Sequence, residues 1–215
     1  MKLYGTKNSR SLRCAWALEE AGVDYDYQRI MLMKGEGQTP AFKAVNATGK
    51  LPVLEDGELK LSESAAILFY IAEKYPEAKL MPGDFLARAE AYRWMFYAAT
   101  EVEPQLWAIA LHRFALPEDK RVAALEPTSV WLLQRALKMI DKRLDNAPHA
   151  AGALFSLADI MICHCLTWTI SAKIEGVGAA SLAYIERMKA RPAYQRAVAR
   201  ETLEAEKHEA AQAAA

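Results

Sequence analysis

The residues best placed to do chemistry lie in the stretch Lys50-Leu51-Pro52-Val53-Leu54-Glu55-Asp56-Gly57-Glu58-Leu59-Lys60-Leu61-Ser62-Glu63-Ser64. Pro52 opens an apolar run but has no amide proton, which places it at an edge or a bend. If the Leu51-Pro52 bond is cis, the chain kinks there. The Leu51 backbone is then left to pair with a short extended peptide as if it were an added strand. At the other end, Ser62-Glu63-Ser64 opens a helix with Ser62 or Ser64 as its cap, and the amides and dipole of that N-terminus favour a carboxylate. The segment therefore offers a strand edge to a peptide backbone and a helix end to an anion. An ordinary hairpin leading into a capped helix would use the same residues.

Other reactive side chains have simpler explanations. Cys163-His164-Cys165 has the look of a metal site, but residues two apart on a helix point about 200° from each other, so the two sulfurs cannot share one ion. No metal is expected. Cys14 has no second cysteine three residues away, which argues against a disulfide reductase and for a buried thiol. Ser156-Leu157-Ala158-Asp159 has capping-box spacing, so Ser156 and Asp159 are assigned a structural role at a helix start.

The elements that position these residues follow from local patterns. Lys2 to Gly5 is a short strand, Thr6 to Ser11 a polar loop, and Leu12 to Ala21 a helix stopped by Gly22. Val23, Tyr25 and Tyr27 alternate with polar residues as a second strand. Asp56-Gly57 predicts a two-residue primed turn that sets Glu55 opposite Glu58 and Leu54 opposite Leu59. The first 75 residues read βαβ, a variable helix, then ββα. The prolines and glycine of Tyr75 to Asp84 end that unit.

Beyond it every pattern is helical. Ala87 to Phe114 is rich in aromatics and should be kinked or split at Pro104. Val130, Leu133, Leu137, Ile140 and Leu144 form one inward stripe. Shorter helices follow, a last one begins at Ala193, and the alanine-rich tail after Glu204 is expected to fray. The fold class is thus α/β plus all-α, with domains at 1–78 and 85–215 joined by a linker at 79–84.

The chain has 215 residues, enough for two small domains with real cores. Its 27 basic and 27 acidic residues balance, so no nucleic-acid footprint or anionic-membrane surface is expected. Three cysteines make no disulfide framework, and the N-terminus turns polar at once, both fitting a cytoplasmic protein. The most apolar window, Ala153 to Ile170, is interrupted by Asp159 and His164 and reads as a buried helix rather than a membrane span.

In order and spacing, Ser9 to Arg13, Asn46 to Pro52 (NATGKLP), the Asp56-Gly57 turn, Glu63-Ser64, Phe155 to Asp159 and Arg191-Pro192-Ala193-Tyr194 resemble the cytosolic glutathione transferases along the whole chain. The likeness is to bacterial, serine-type members. It implies a thioredoxin-like N-terminal domain, an all-helical C-terminal domain, glutathione as co-substrate and a homodimer. It places the cysteinyl backbone of glutathione on Leu51 beside Pro52, the γ-glutamyl group on Glu63 and Ser64, and the glycyl carboxylate near Lys50.

A thiol near pKa 8.5 is only a few per cent ionised at neutral pH, and lowering that by ~2 units takes ~2.7 kcal/mol of preferential thiolate stabilisation. One donated hydroxyl at the positive end of the first helix could supply it. Ser9 is the first candidate, because it lies four residues before Arg13, as the active serine does in the serine-type classes. Ser11 is the alternative, or else the N-cap of the helix. Tyr4 lies within the strand and reads as packed, and Arg10 stands where cysteine-type bacterial classes carry their cysteine.

The expected activity is conjugation of the glutathione thiolate to hydrophobic electrophiles, with Tyr92, Trp94, Tyr97, Trp107 and Phe114 as candidate contacts or, for most of them, core. A glutathione-dependent isomerase, dehalogenase or peroxidase on the same fold, or a non-enzymatic interaction protein, are the alternatives.

Overall fold

The computed structural model describes residues 1–213. Contacts group the chain into two compact units, Met1–Leu80 together with the segment from Ala190 onward, and Met81–Lys189.

The first unit is built on a four-stranded sheet in the order β2-β1-β3-β4. Strand β1 (Lys2–Gly5) runs parallel to β2 (Asp26–Arg29), with helix α1 (Ser11–Glu20) as the crossover. Gly22, at φ 65°, ends the connection from α1 as only glycine does readily. After the short helix α2 (Pro40–Lys43), β3 (Val53–Asp56) and β4 (Leu59–Ser62) add antiparallel strands, and α3 (Ser64–Lys74) follows. This is the thioredoxin-like βαβ-α-ββα arrangement. Leu3, Trp16, Leu18, Leu54, Ile67, Leu68 and Ile71 are fully or almost fully buried between the sheet and its helices.

The hairpin register differs from the sequence expectation by two residues. Leu54 faces Leu61 and Glu55 faces Lys60, while Asp56 leaves the expected turn to pair with Leu59, so the turn is Gly57-Glu58. Electrostatics explains the choice. The expected register would oppose Glu55 to Glu58, whereas the observed one pairs Glu55 with a lysine. Asp56 is held at the end of the ladder by Tyr70, whose hydroxyl donates to it at 2.6 Å, and by Lys74. A shift of two keeps every side chain on its face, and Gly57 at φ 61° takes the one position that needs positive φ.

The second unit is helical. Helix α4 (Phe85–Tyr97) begins at Asp84, whose carboxylate accepts from the Ala87 amide at 2.9 Å. A π-helical turn at Ala98–Val102 leads into α5 (Glu103–Ala110), so the aromatic segment is split where Pro104 enters its first turn. Helices α6 (Glu126–Asn146), α7 (Leu157–Ser171) and α8 (Ala179–Lys189) complete it. Leu133, Leu137 and Ile140 of α6 are buried as one stripe. Asp159 is fully buried under a capping box: its carboxylate accepts from Ser156 N and Ala150 N, each at 2.8 Å, and from Tyr184 Oη at 2.8 Å.

Helix α9 (Pro192–Ala213) belongs to the first unit. It lies against α1 and β2: Tyr194 stacks edge-on against Trp16 at 4.9 Å, Arg191 pairs with Glu20, and Arg196 and Arg200 with Glu19. Where the tail was expected to fray after Glu204, α9 runs on to Ala213, with Ala205 buried and its carbonyl accepting from Arg29 Nη1 at 2.6 Å, while the last two residues of that tail lie outside the described residues. Among the described residues, no helix is long and apolar enough to cross a membrane.

Candidate functional site

One end of the sheet gathers the site. Tyr4 pairs with Val53, and Val53 with Ser62, so three segments leave the sheet together there: Gly5 toward Ser9, Pro52 back toward Lys50, and Ser62 on into Glu63 and Ser64. Leu51-Pro52 is cis, and both residues lie beyond the last β1–β3 pair. Pro52 is buried, Leu51 half-buried and Lys50 exposed. Asn46 fixes the approach by donating from Nδ2 to the Lys50 carbonyl at 2.9 Å and accepting the Thr48 amide at 3.2 Å. Gly49, at φ 67°, lets this loop press its backbone against Gly37.

The two helix N-termini are tied together from inside. Arg13, buried in the first turns of α1, donates from Nη1 to Ser64 Oγ at 3.1 Å. Ser64 is the first residue of α3 and Glu63 holds the cap position, but neither Ser62 nor Ser64 caps the helix with its side chain, contrary to the sequence expectation. The Ser64 hydroxyl is turned to Arg13 instead. Glu63 is exposed and sits at φ 68°, ψ 112°, a conformation that a glutamate adopts only at a cost.

Ser9 and Ser11 are brought side by side, their hydroxyls 2.7 Å apart. Ser9 is half-buried. Its hydroxyl donates to the Thr6 carbonyl at 2.7 Å and accepts the Ser11 amide at 3.1 Å. Ser11 is wholly buried and accepts the Thr6 amide at 3.2 Å. It is the first helical residue, and the cap position falls to Arg10, with no side-chain cap bond. A cap role for Ser11 is thereby excluded.

Behind Ser11 lies a cluster that sequence reasoning missed. Tyr27 Oη and the Ser11 side chain both crowd Gly5, and Tyr27 donates to Glu201 Oε1 at 2.9 Å. Glu201, on α9, is 3% exposed, and burial raises its carboxyl to about 8, against the Tyr27 hydrogen bond and the Lys7 charge that pull it down. A Cβ on Gly5 would collide with the Tyr27 phenol and with Ser11, so glycine is required there. Arg13 was missed as well. Its signal is a charged residue on the apolar face of the helix Leu12 to Ala21.

Tyr4 donates to Glu55 Oε2 at 2.7 Å and its hydroxyl is raised to about 12, chiefly by burial, so it is occupied structurally. Burial also raises the thiols of Cys14 and Cys163, and both are inert as nucleophiles. Cys165 is buried too. Of the aromatics considered for an electrophile, Trp94 is core and Tyr97 donates to the Ala136 carbonyl at 3.2 Å. Tyr92 is half-buried, and Trp107 and Phe114 are 37% and 58% exposed.

Comparison with known proteins places this geometry. A family model described as glutathione S-transferase, N-terminal domain, matches residues 1–73. Glutathione S-transferase 4 of Zea mays is 33% identical over 199 residues, covering 90% of this chain and 89% of that protein. Glutathione S-transferase 1 of Dianthus caryophyllus is 37% identical over 187 residues, covering 83% and 79%. Among solved structures, the theta class glutathione S-transferase from the citrus canker pathogen Xanthomonas axonopodis pv. citri, with glutathione bound, matches with a TM-score of 0.78 at 32% identity, covering 92% of this chain and 96% of that one.

Proposed function

From the premise that this chain belongs to the glutathione S-transferase family and is a glutathione transferase, we propose that it joins the sulfur of glutathione to apolar electrophiles, with Ser9 as the hydroxyl that holds the thiolate. Leu51 pairs with the cysteinyl backbone beside Pro52. Glu63 and Ser64 take the γ-glutamyl group, and Lys50 the glycyl carboxylate. The observation that carries this reading is the bond from buried Arg13 to Ser64, which fixes the N-termini of α1 and α3 at one end of the sheet. Two positive helix ends suit a ligand with a carboxylate at one point and a developing thiolate at another.

Between the two serines, exposure supports Ser9. Ser11 has no path to a ligand, being 0% exposed. Ser9 donates to the Thr6 carbonyl as found. Turning that proton to a thiolate exchanges a neutral acceptor for a charged one, the stronger of the two. Ser9 is the donor in this scheme and removes no proton from the sulfur. Conjugation then forms the carbon–sulfur bond and expels the electrophile's leaving group, or adds across its double bond. The family's serine-type classes supply the name for this arrangement, and a pair of identical chains in the cytoplasm is its expected setting.

The test is calorimetric titration with glutathione, followed by conjugation to a halogenated dinitrobenzene. Ser9→Ala is expected to bind glutathione while losing about 10- to 100-fold in kcat/KM, the equivalent of one hydrogen bond to a charged group. Absence of glutathione binding by the parent would favour a non-enzymatic module. Binding without conjugation would favour a specialised isomerase, dehalogenase or peroxidase. Full activity in Ser9→Ala would remove Ser9 from the site. A solution mass of two chains checks the dimer.

A further inference from the structure

We propose that Gly37 is a positioning residue for the glycyl end of glutathione, because its backbone contact with Gly49 fixes the reach of Lys50 and so sets a preference for the full tripeptide over γ-glutamylcysteine. The inference rests on Lys50 taking the glycyl carboxylate. Gly37 is buried in the loop between β2 and α2, and Gly49 precedes Lys50 in the turn that leads to Pro52. A Cβ on Gly37 would stand 2.5 Å from the Gly49 carbonyl oxygen, and one on Gly49 would stand 2.5 Å from the Gly37 carbonyl oxygen. The contact is reciprocal, and it is closer than any side chain allows.

Both sides of this contact are anchored. Beside Gly37, the Glu36 carboxylate accepts the Met31 amide at 2.7 Å, the Gly35 carbonyl accepts the Gln38 amide at 2.9 Å, and Thr39 caps α2 through the Phe42 amide at 3.3 Å. Beside Gly49, the Asn46 side chain donates to the Lys50 carbonyl and accepts the Thr48 amide, while the Asn46 carbonyl accepts the Gly49 amide at 2.9 Å. Lys50 leaves this turn exposed and, among the described residues, in no ion pair, so its ammonium is open to a carboxylate. How far that ammonium reaches depends on where the turn holds the Lys50 backbone. Two residues on, Pro52 is buried and Val53 enters β3, which ties Leu51 to the sheet independently.

An alanine at Gly37 meets a steric obstacle only, since that residue lies outside the positive-φ region. Its methyl would also stand 2.7 Å from Leu32 Cδ2, but Leu32 is an exposed side chain that can swing aside, whereas the Gly49 carbonyl is backbone. Restoring an ordinary carbon-to-oxygen separation of about 3.3 Å moves the Gly49 peptide by about 1 Å. The Lys50 backbone moves with it, and a charge-assisted hydrogen bond does not survive such a displacement. Leu51, Glu63, Ser64 and Ser9 are held by other segments, so the cysteinyl and γ-glutamyl contacts stay. The loss falls on the one part of the ligand that γ-glutamylcysteine lacks.

The experiment compares kcat/KM for conjugation of a halogenated dinitrobenzene with glutathione and with γ-glutamylcysteine, in the full-length parent, Gly37→Ala, Lys50→Ala and the double variant. The parent is expected to prefer glutathione by about tenfold or more, the effect of one charge-assisted hydrogen bond. Gly37→Ala should cut that preference to about twofold by raising KM for glutathione, with kcat for either thiol and KM for γ-glutamylcysteine kept within about twofold of the parent. Lys50→Ala should lose the same preference, and adding Gly37→Ala to it should lower it no further, because both act on one contact. If Gly37→Ala loses activity with both thiols alike, or keeps the full preference while Lys50→Ala loses it, the role of Gly37 is overturned and the transferase reading stands. No preference in the parent, or full preference in Lys50→Ala, would take Lys50 off the glycyl carboxylate and overturn this inference with it. Should Gly37→Ala fail to fold, Gly37→Ala combined with Leu32→Ala decides, measured against Leu32→Ala alone. That pair removes the other side chain the new methyl would meet and leaves the Gly49 carbonyl as the sole obstacle, and the same loss of preference is expected.

Discussion

Ser9 and Ser11 are the same residue two positions apart, and burial gives them different work. Ser11 accepts the Thr6 amide inside the protein. Removing it leaves that donor without a partner at about 1–3 kcal/mol. Ser11→Ala is therefore expected to lower stability in denaturant melts by that amount, and a melt indistinguishable from the parent would contradict its structural role. At Glu201 the contribution to stability depends on pH. Burial raises the folded carboxyl from 4.5 to about 8, so between those values the folded chain holds a proton that the unfolded chain has released. Stability must then fall as pH rises through that window. Glu201→Gln should flatten the slope between about pH 5 and 8, and an unchanged slope would refute the shift. Neither role was legible in the sequence. Glu201 lies in a polar stretch of the last helix, and only the packing of that helix against Tyr27 makes it a buried acid.

Helix ends are where local patterns read well in part. Ser156 and Asp159 were legible from spacing, yet spacing could not show that Ala150 N and Tyr184 Oη converge on the same carboxylate. A lost cap alone costs ~1 kcal/mol, whereas stranding two further buried donors should bring Asp159→Ala to about 3 kcal/mol or more. A loss confined to ~1 kcal/mol would mean those donors find water or new partners. At α3 the serines looked like caps, but the tertiary bond from Arg13 turned Ser64 inward and left Glu63 with positive φ. Glycine is at ease in that conformation, so Glu63→Gly should raise stability by about 1 kcal/mol. The same change removes the proposed contact to the γ-glutamyl group and should weaken glutathione binding by about tenfold or more. Unaltered affinity by calorimetry would take Glu63 out of the site. The hairpin teaches a similar lesson. Asp56-Gly57 located the turn, but the Glu55–Lys60 pairing and the grip of Tyr70 and Lys74 on Asp56 chose the register.

At the level of the whole molecule, the fold class was legible because periodicity switches once, from strands to helices, at the proline-rich stretch after Tyr75. What could not be read was that the last helix joins the first unit, since only tertiary packing brings Tyr194 to Trp16 and Arg196 to Glu19. A chain cut after Lys189 should lose amide-exchange protection across α1 and with it glutathione binding. Full protection of α1 in that fragment would show that α9 is dispensable. The same packing bears on how the protein is made. On the ribosome the sheet emerges first, but the helix that covers α1 is made only after the whole second unit, so the apolar flank around Trp16 stays uncovered until that helix has been synthesised. A message that stops early would yield a chain with every proposed glutathione contact and an unshielded surface, and quality-control proteases would meet it before any substrate did.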